Sequence, residues 1–368
     1  MLRQVLIPLS LTLCLPIDPV ATDYSIERTL EITRESTIES VTETEILIDG
    51  EPMEGRGGGS GGREYMEDKS VVTRDTVIEH DEGTPTHVRR EFKEVAISGS
   101  SGSGENSREI ERPCTFDGVI LDLTLDEDGE LEIEQVDGDE VDEDALVGHS
   151  LKLTLDMLLP EDEVEEGDSW EIGSDDAKRL LALGLDSHLF GQTESEGRGG
   201  EGGGRGGGRG GRGGRGGGPE RMLSQAEWEC EATLVSESVM VDELECMKIK
   251  VVLEAEGELE EMGGGRGRDR FEEFESQFAA AFGPSNTPIT IANDYSLELS
   301  GHFLFSIKEK RPVSLELEGT MISMRSMERD RDGSTMEINS SQEGEMSYSI
   351  TVEALEREVD ETETSEKD

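Results

Sequence analysis

The chain has 368 residues, of which 87 are acidic and 34 are basic, so its formal net charge is −53. Charge of this sign repels nucleic-acid phosphates and anionic lipids, which excludes a general nucleic-acid binder and an electrostatic binder of anionic membranes. The length is enough for one large domain or two ordinary ones.

The N-terminal segment resembles a secretory signal peptide. Arg3 supplies the positive charge, residues 5–17 form a short apolar core, and residues 19–21 are an imperfect small-residue cleavage site. The core is too short to span a bilayer, and no later segment is apolar enough to form a transmembrane helix. We therefore expect a signal peptide at residues 1–21 and a mature protein that is secreted, periplasmic or held in the cell envelope.

Alternation of apolar and polar residues is the dominant pattern after this leader. It predicts long antiparallel strands with one buried and one wet face, because parallel strands buried on both faces would read as continuous apolar runs. The alternating apolar residues are Tyr24, Ile26, Leu30 and Ile32, followed by the runs Val119 to Leu125, Leu151 to Met157, Trp228 to Leu234, Leu297 to Phe305, Val313 to Leu317 and Met346 to Val352.

Turn and helix signals complete the elements. Asp126 to Gly129 and Asp330 to Gly333 predict turns between paired strands. Asp175 to Leu185 has helical spacing of its apolar residues and Ser174 as a candidate N-cap. A second helix is predicted over Arg270 to Phe282, where phenylalanine recurs every three to four residues. This second helix is a candidate to fill the inner side of the sheet.

Glycine-rich segments interrupt the strands. Residues 55–62 and 98–104 are predicted Gly/Ser loops, and residues 197–218 form a long glycine tract that contains several arginines. Glycine this dense costs too much backbone entropy to order. The tract resembles the RGG boxes of RNA-binding proteins, but it contains Glu201 and no aromatic residue, so we interpret it as a disordered loop.

This tract divides the mature chain into two β-rich halves. The predicted N-terminal half covers residues 22–196, and the C-terminal half covers residues 219–355. An acidic disordered tail is predicted at residues 356–368. Two halves of similar topology are a further hypothesis, because each combines several long strands with one short helix.

No constellation of catalytic, cofactor-binding or metal-ligating residues emerges from the sequence. The Asp126 and Asp330 turns match part of an EF-hand loop but lack its first and twelfth ligands. The five histidines are scattered, and the chain has no Cys-x-x-Cys, no Gly-x-Ser-x-Gly and no P-loop. We predict no enzyme site, no cofactor and no specific metal site, with only weak nonspecific Ca²⁺ binding by residues 137–144.

Cysteine and tryptophan are rare in the mature chain. Cys114, Cys230 and Cys246 are an odd number of thiols, so at least one is free or pairs outside the chain, and the sequence leaves any disulfide open. Trp170 and Trp228 are the only tryptophans. We predict that both are core anchors, with the lining of an apolar cavity as the alternative.

The segment from Leu159 to Trp170 reads Leu-Pro-x-x-x-Val-x-x-Gly-Asp-Ser-Trp. Together with the strand pairs at residues 116–136 and 227–253, it resembles a family of exported β-rich bacterial proteins of unknown function, planctomycete proteins among them. The resemblance implies an exported β-rich fold with this segment between two halves, and it implies no activity and no site residue. The matching residues are Leu159, Pro160, Val164, Gly167, Asp168, Ser169 and Trp170.

The sequence therefore predicts a mainly β fold, with long antiparallel strands in a curved sheet or open barrel, two short helices and disordered Gly/Arg-rich loops. The predicted function is that of a non-enzymatic exported envelope or extracellular protein that binds a hydrophobic ligand or a protein partner. A structural or matrix protein with charge- or Ca²⁺-dependent assembly is one alternative. An enzyme of unrecognised class is another.

Overall fold

The computed structural model describes residues 20–52, 62–103, 107–110, 114–126, 128–190, 219–241, 243–258, 290–331 and 334–355. Within these ranges the protein is mainly β, as the alternation predicts. The strands are β1 (Thr29–Ile48), β2 (Glu51–Pro52), β3 (Arg63–Asp81), β4 (Thr84–Gly102), β5 (Arg108–Ile110), β6 (Ile120–Leu125), β7 (Leu131–Asp137), β8 (Ser169–Ile172), β9 (Glu229–Val241), β10 (Leu244–Glu258), β11 (Thr290–Ser306), β12 (Arg311–Arg331) and β13 (Ser334–Leu355).

These strands form one antiparallel sheet that stays open. Their order is β7-β6-β4-β3-β1-β13-β12-β11-β10-β9-β8, with β2 pairing with β1 and β5 with β4. At the centre, β1 pairs with β13 from Thr29–Leu355 to Ile48–Met336. The chain thus runs from the centre to one edge, crosses to the other edge over residues 138–168, and returns to the centre.

Short helices accompany this crossing. They are α1 (Ser174–Leu180), α2 (Leu183–Leu189), α3 (Pro219–Gln225) and two 3₁₀ segments (Glu143–Leu146 and Thr154–Leu158). We call residues 138–168, 173–190 and 219–226 the cap. The cap packs on one face of the sheet, the covered face, and the opposite face is the open face. One core joins cap and sheet through residues such as Leu158, Leu180, Trp228, Phe303 and Ile350.

A second core lies under the other side of the cap. It is built from Phe92 and Leu121 of the sheet with Phe116, Leu189 and Phe190. All five side chains are almost fully buried. Burial of an aromatic or aliphatic side chain of this size contributes about 1.5–3 kcal/mol to folding, so the two cores hold cap and sheet together as one structure.

The helix predicted over Asp175–Leu185 is observed as two short helices. Ala182 has a left-handed φ of 52°, which separates α1 from α2. Gly173, and not Ser174, occupies the N-cap position, while the Ser174 hydroxyl accepts the backbone N–H of Trp228 at 2.9 Å. Helix α3 was absent from the prediction, and the helix predicted over Arg270 to Phe282 lies outside the described residues, as does the 197–218 tract.

Two other local predictions are wrong. Residues 151–157 are not a strand; they run into the 3₁₀ segment of the cap, where Leu153, Leu155 and Leu158 are all buried because the segment crosses the sheet. Residues 98–102 belong to β4 and are not a loop. A Cβ on Gly99 would lie 2.2 Å from the carbonyl oxygen of Met66, so this glycine allows β3 and β4 to approach closely.

Candidate functional site

The end of the sheet farther from the cap departs from regular alternation. We define this distal end as residues 41–48 of β1, 64–66 of β3, 321–328 of β12 and 335–342 of β13. Along β1 it begins about 23 Å and ends about 46 Å from Arg34, which contacts the cap, at the usual rise of a strand. At its near edge, Met321 belongs to the first core and Tyr65 packs against it. Farther out, apolar side chains occupy both faces of the sheet and belong to neither core of the described residues.

On the open face, four apolar side chains form what we call the open-face patch. Val41, Met66, Ile322 and Met324 are 44%, 39%, 37% and 57% exposed. The open face elsewhere is mostly Glu, Ser and Thr, so these four residues are exceptions to its composition. A cluster of exposed apolar side chains with a polar surround is typical of an interaction site.

Carboxylates surround the open-face patch. Val41 lies directly opposite Glu64 of β3 on one side and Glu343 of β13 on the other. One row closer to the cap, Glu39 lies directly opposite Glu345. Like charges in this arrangement repel each other, and no cation of the described ranges forms an ion pair with these four carboxylates.

On the covered face, the distal end carries a second apolar group, which we call the covered-face tip. Ile46 of β1 lies opposite Ile338 of β13, which in turn lies opposite Met327 of β12. One row farther out, Ile48 lies opposite Met336. All five side chains are half-buried. Polar rows, including Thr42 and Gln342, separate this tip from the core beneath the cap.

An ionic cluster fastens α2 to the covered face. Asp186 of α2 accepts a hydrogen bond from Arg34 Nη2 at 3.0 Å, and its other carboxylate oxygen lies 3.7 Å from Lys69 Nζ. Lys69 also lies 3.3 Å from Glu67, which is 1% exposed and accepts the Tyr65 hydroxyl at 2.7 Å. The two cations and two anions balance. Breaking one pair would leave a buried charge uncompensated, so the cluster fixes the position of α2.

A second polar cluster lies beneath the cap. Asp75 accepts two hydrogen bonds from Arg90, from Nε at 2.8 Å and from Nη2 at 2.6 Å. Arg90 Nη1 also lies 3.4 Å from His149 Nδ1. Burial, and then the positive charges of Arg90 and Arg34, lower the pKa of His149 to about 3. His149 is therefore neutral at physiological pH, and its Nε2 has no hydrogen-bond partner among the described residues.

A third polar contact ties the beginning of the described chain to the cap. The Thr22 hydroxyl donates to Asp156 Oδ1 at 2.5 Å, and the Tyr24 hydroxyl donates to Asp156 Oδ2. The Tyr24 hydroxyl also accepts the backbone N–H of Leu153 at 2.8 Å. Burial raises the pKa of Asp156 above its ordinary value. These groups satisfy one another, which indicates a structural role.

A shallow groove of about 510 Å³ lies near the β7 edge of the sheet. It is lined by His87, Asp122, Thr124, Glu132 and Glu134, together with Ile133. Asp122 accepts two hydrogen bonds from Arg89, at 2.8 and 2.9 Å, which lower the pKa of its carboxyl group. Since Asp122 already forms an ion pair with Arg89, the groove offers a ligand less negative charge than its carboxylates would suggest.

The described residues contain no group of three or more His, Cys, Asp or Glu side chains that could hold a metal ion. None of Cys114, Cys230 and Cys246 forms a disulfide with another described residue. Burial raises the pKa of Cys230 to about 12, so this thiol stays protonated at neutral pH and is a weak nucleophile.

The structure separates the two tryptophans. Trp228 is 3% exposed and its Nε1 donates to the carbonyl of Leu223 at 3.2 Å, so it is the core anchor that the sequence predicts. Trp170 is half-buried at the edge of the first core. The predicted Asp126 turn is observed, with Asp126 Oδ1 accepting the N–H groups of Asp128 and Glu130.

The distal end was not predicted from the sequence. Its signal is present in residues 41–48, Val-Thr-Glu-Thr-Glu-Ile-Leu-Ile, and in residues 321–327, Met-Ile-Ser-Met-Arg-Ser-Met. In both stretches apolar residues stand next to each other or shift from odd to even positions. Because successive side chains of a strand point to opposite faces, these apolar residues fall on both faces of the strand. Loss of alternation within a long strand would have indicated exposed apolar side chains.

Comparison with known proteins adds no family. No family model matches the chain, and no curated protein matches it. Among solved structures, lipovitellin, in a study of lipid–protein interactions, aligns with 91% of this chain and 26% of its own, at 7% identity and a TM-score of 0.29. This chain thus spans about a quarter of that protein.

Two other solved structures align even more loosely. The outer membrane protein OprG of Pseudomonas aeruginosa covers 90% of this chain and 99% of its own at 5% identity, with a TM-score of 0.16. The attachment invasion locus protein Ail of Yersinia pestis, in complex with sucrose octasulfate, aligns with 88% of this chain and 99% of its own at 6% identity, with a TM-score of 0.11. Scores this low support no inference about function. Separately, none of the helices that the structure describes is long and apolar enough to span a membrane.

Proposed function

We propose that the chain is a non-catalytic binding protein of the cell envelope or extracellular space that holds an apolar ligand on the covered-face tip. The observation that supports this proposal is the row formed by Ile46, Ile338 and Met327, extended by Ile48 and Met336. These side chains lie on three neighbouring strands, and all five are only half-buried. Contact with an apolar ligand would remove this surface from water.

The chemistry of the tip limits the kind of ligand. Methionine is flexible and polarisable, and Met327 and Met336 can adapt to ligands of different shape. The polar row next to the tip offers hydroxyl and amide groups, among them Thr42 and Gln342, to a polar part of the ligand. The net charge of −53 disfavours an anionic ligand, so we expect a neutral or cationic apolar molecule.

Native mass spectrometry of the full-length protein purified from its own host tests the proposal. We expect an apolar molecule to copurify with the wild-type protein. The double variant Met327→Asp/Ile338→Asp should lose it, because two charges at the tip cannot be buried against an apolar ligand. Ser326→Asp/Ser341→Asp is the matched control, since it adds the same charges to the same strands on the open face.

The control should retain the ligand, and circular dichroism should show that both variants remain folded. A wild-type protein that copurifies with no ligand, and that binds no apolar fluorescent probe, would contradict the proposal. Equal loss of ligand in both double variants would also contradict it, because the effect would then come from added charge and not from the covered-face tip.

A further inference from the structure

The exposed apolar side chains of the open-face patch are surrounded by carboxylates that have no ion-pair partner among the described residues. We infer that this patch is the docking surface for a basic amphipathic segment of a protein partner. Val41 and Ile322 lie in one row across the sheet, with Glu343 between them, and Met324 is two residues farther along the strand of Ile322. A partner helix with apolar residues on one side and Lys or Arg beside them complements both parts of this surface.

The size of the patch fits such a segment. Met66 lies on β3 and Met324 on β12, and the sheet order places β1 and β13 between these two strands. Three spacings between strands correspond to about 14 Å, and Met324 lies four residues, or about 13 Å, farther along β12 than Thr320, which is in the row of Met66. The two methionines are therefore about 19 Å apart, which is about three and a half turns of an α-helix. A short amphipathic helix therefore reaches all four apolar side chains with residues spaced three or four apart.

The glutamates around the open-face patch favour a partner that carries positive charge. Glu39 and Glu345 lie directly opposite each other, an arrangement that destabilises a sheet when no cation is near. Lys or Arg side chains of a partner would relieve this repulsion and pair with Glu64 and Glu343 beside Val41. The strongly acidic chain would also speed the approach of a basic partner by long-range attraction.

The same features disfavour other occupants. Anionic membranes and nucleic acids are repelled by the carboxylates around the patch. A neutral membrane would contact the apolar side chains but would leave the carboxylates without a cation. Ile322 and Met324 supply apolar contact, and the glutamates supply specificity for positive charge.

The experiment uses the full chain and synthetic peptides of about 18 residues, with binding measured by fluorescence anisotropy at about 0.15 M salt. The probe has Leu on one helical face and Lys on the other. One control peptide has Glu in place of Lys, and another has Ser in place of Leu. We expect the Leu/Lys peptide to bind, and each control peptide to bind about tenfold more weakly or not at all.

Two pairs of protein variants locate the binding. Ile322→Ser/Met324→Ser should weaken peptide binding about tenfold, since each exposed side chain contributes apolar contact. Glu39→Gln/Glu345→Gln should also weaken it. Its matched control is Glu254→Gln/Glu298→Gln, which removes the same charge from another directly opposed and exposed pair on the open face. This control should bind the peptide like the wild-type protein.

Several outcomes would overturn the inference. Equal weakening by the two glutamine pairs would show that the peptide responds to total charge and not to the patch. Unchanged binding by Ile322→Ser/Met324→Ser would show that the apolar side chains are not contacted. Binding of the wild-type protein to neutral phosphatidylcholine vesicles in preference to the peptide would assign the patch to a membrane. None of these results bears on the ligand proposed for the covered-face tip, which lies on the other face.

Discussion

His149 shows how the surroundings of a single residue define its chemistry. The ring lies 5.8 Å from those of both Phe92 and Phe116, and its Nδ1 faces the Arg90 guanidinium. Asp75 holds that guanidinium in place through two hydrogen bonds. In the sequence, His149 is one histidine among several with no partner in view. Only the folded chain buries this ring and places it next to the Arg90 cation, and burial first and the cation second keep it neutral.

Protonation of His149 should therefore make the protein sensitive to acid. Its pKa of about 3 lies below the ordinary value of 6.5. As pH falls between these values, the unfolded chain binds a proton that the folded chain does not, so stability falls. Between pH 7 and pH 4 the free energy of unfolding of the wild-type protein should fall. In His149→Gln this fall should be smaller by about 3 kcal/mol, because the variant lacks the histidine contribution.

Urea unfolding at both pH values measures this difference. Wild-type protein and variant differ only at residue 149, so the comparison isolates His149. The variant His80→Gln removes an exposed histidine and should retain the acid dependence of the wild-type protein. An identical loss of stability in His149→Gln and in the wild-type protein would contradict the prediction.

Among the strands, charged residues on the covered face explain why apolar alternation predicts some strands and misses others. The alternating apolar runs identify β6, β9, β11 and β13 because their covered-face residues are apolar. They do not identify β3 and β4, where Glu67, Lys69, Asp75 and Arg90 occupy covered-face positions. These residues are buried because they pair with one another or with the cap. The pairing depends on neighbouring strands, which a single run of sequence does not contain.

Close approach of strands gives a prediction at the scale of elements. A Cβ on Gly319 of β12 would lie 1.7 Å from the carbonyl oxygen of Glu298 on β11. Gly319→Ala should lower the free energy of unfolding by about 1–3 kcal/mol, because the two strands must move apart. Urea unfolding measures the change, and Ser347→Ala on the exposed side of β13 is the control. A Gly319→Ala variant as stable as this control would contradict the close approach.

At the scale of the whole molecule, net charge and the open sheet act together. The chain carries a formal charge of −53, and the open face places carboxylates directly opposite each other at Glu31–Glu353 and Glu39–Glu345. Glu31 also has Arg74 as an ion-pair partner, at 3.1 Å, whereas no such partner of Glu39 occurs in the described ranges. Repulsion between like charges destabilises the folded state, and the destabilisation is larger when fewer salt ions screen the charges.

The melting temperature should therefore rise with salt. Between about 10 mM and about 1 M NaCl the screening length falls from about 30 Å to about 3 Å, which weakens repulsion between exposed carboxylates. Buried pairs such as Arg34–Asp186 are screened much less, so their contribution should persist. Calorimetry should show a smaller rise for Glu39→Gln/Glu345→Gln than for the wild-type protein. A melting temperature that does not change with salt would contradict this expectation.

Long antiparallel strands with one wet face follow from the amino-acid sequence alone, because a two-residue period is a local property of the chain. Contacts between distant elements fix what this period leaves open. They place the first and last strands side by side, carry residues 138–168 across the covered face to β8, and bury charged residues where partners from distant strands meet them. The fold also leaves apolar side chains on both faces of the distal end, because burial depends on which elements cover a strand and not on the strand alone.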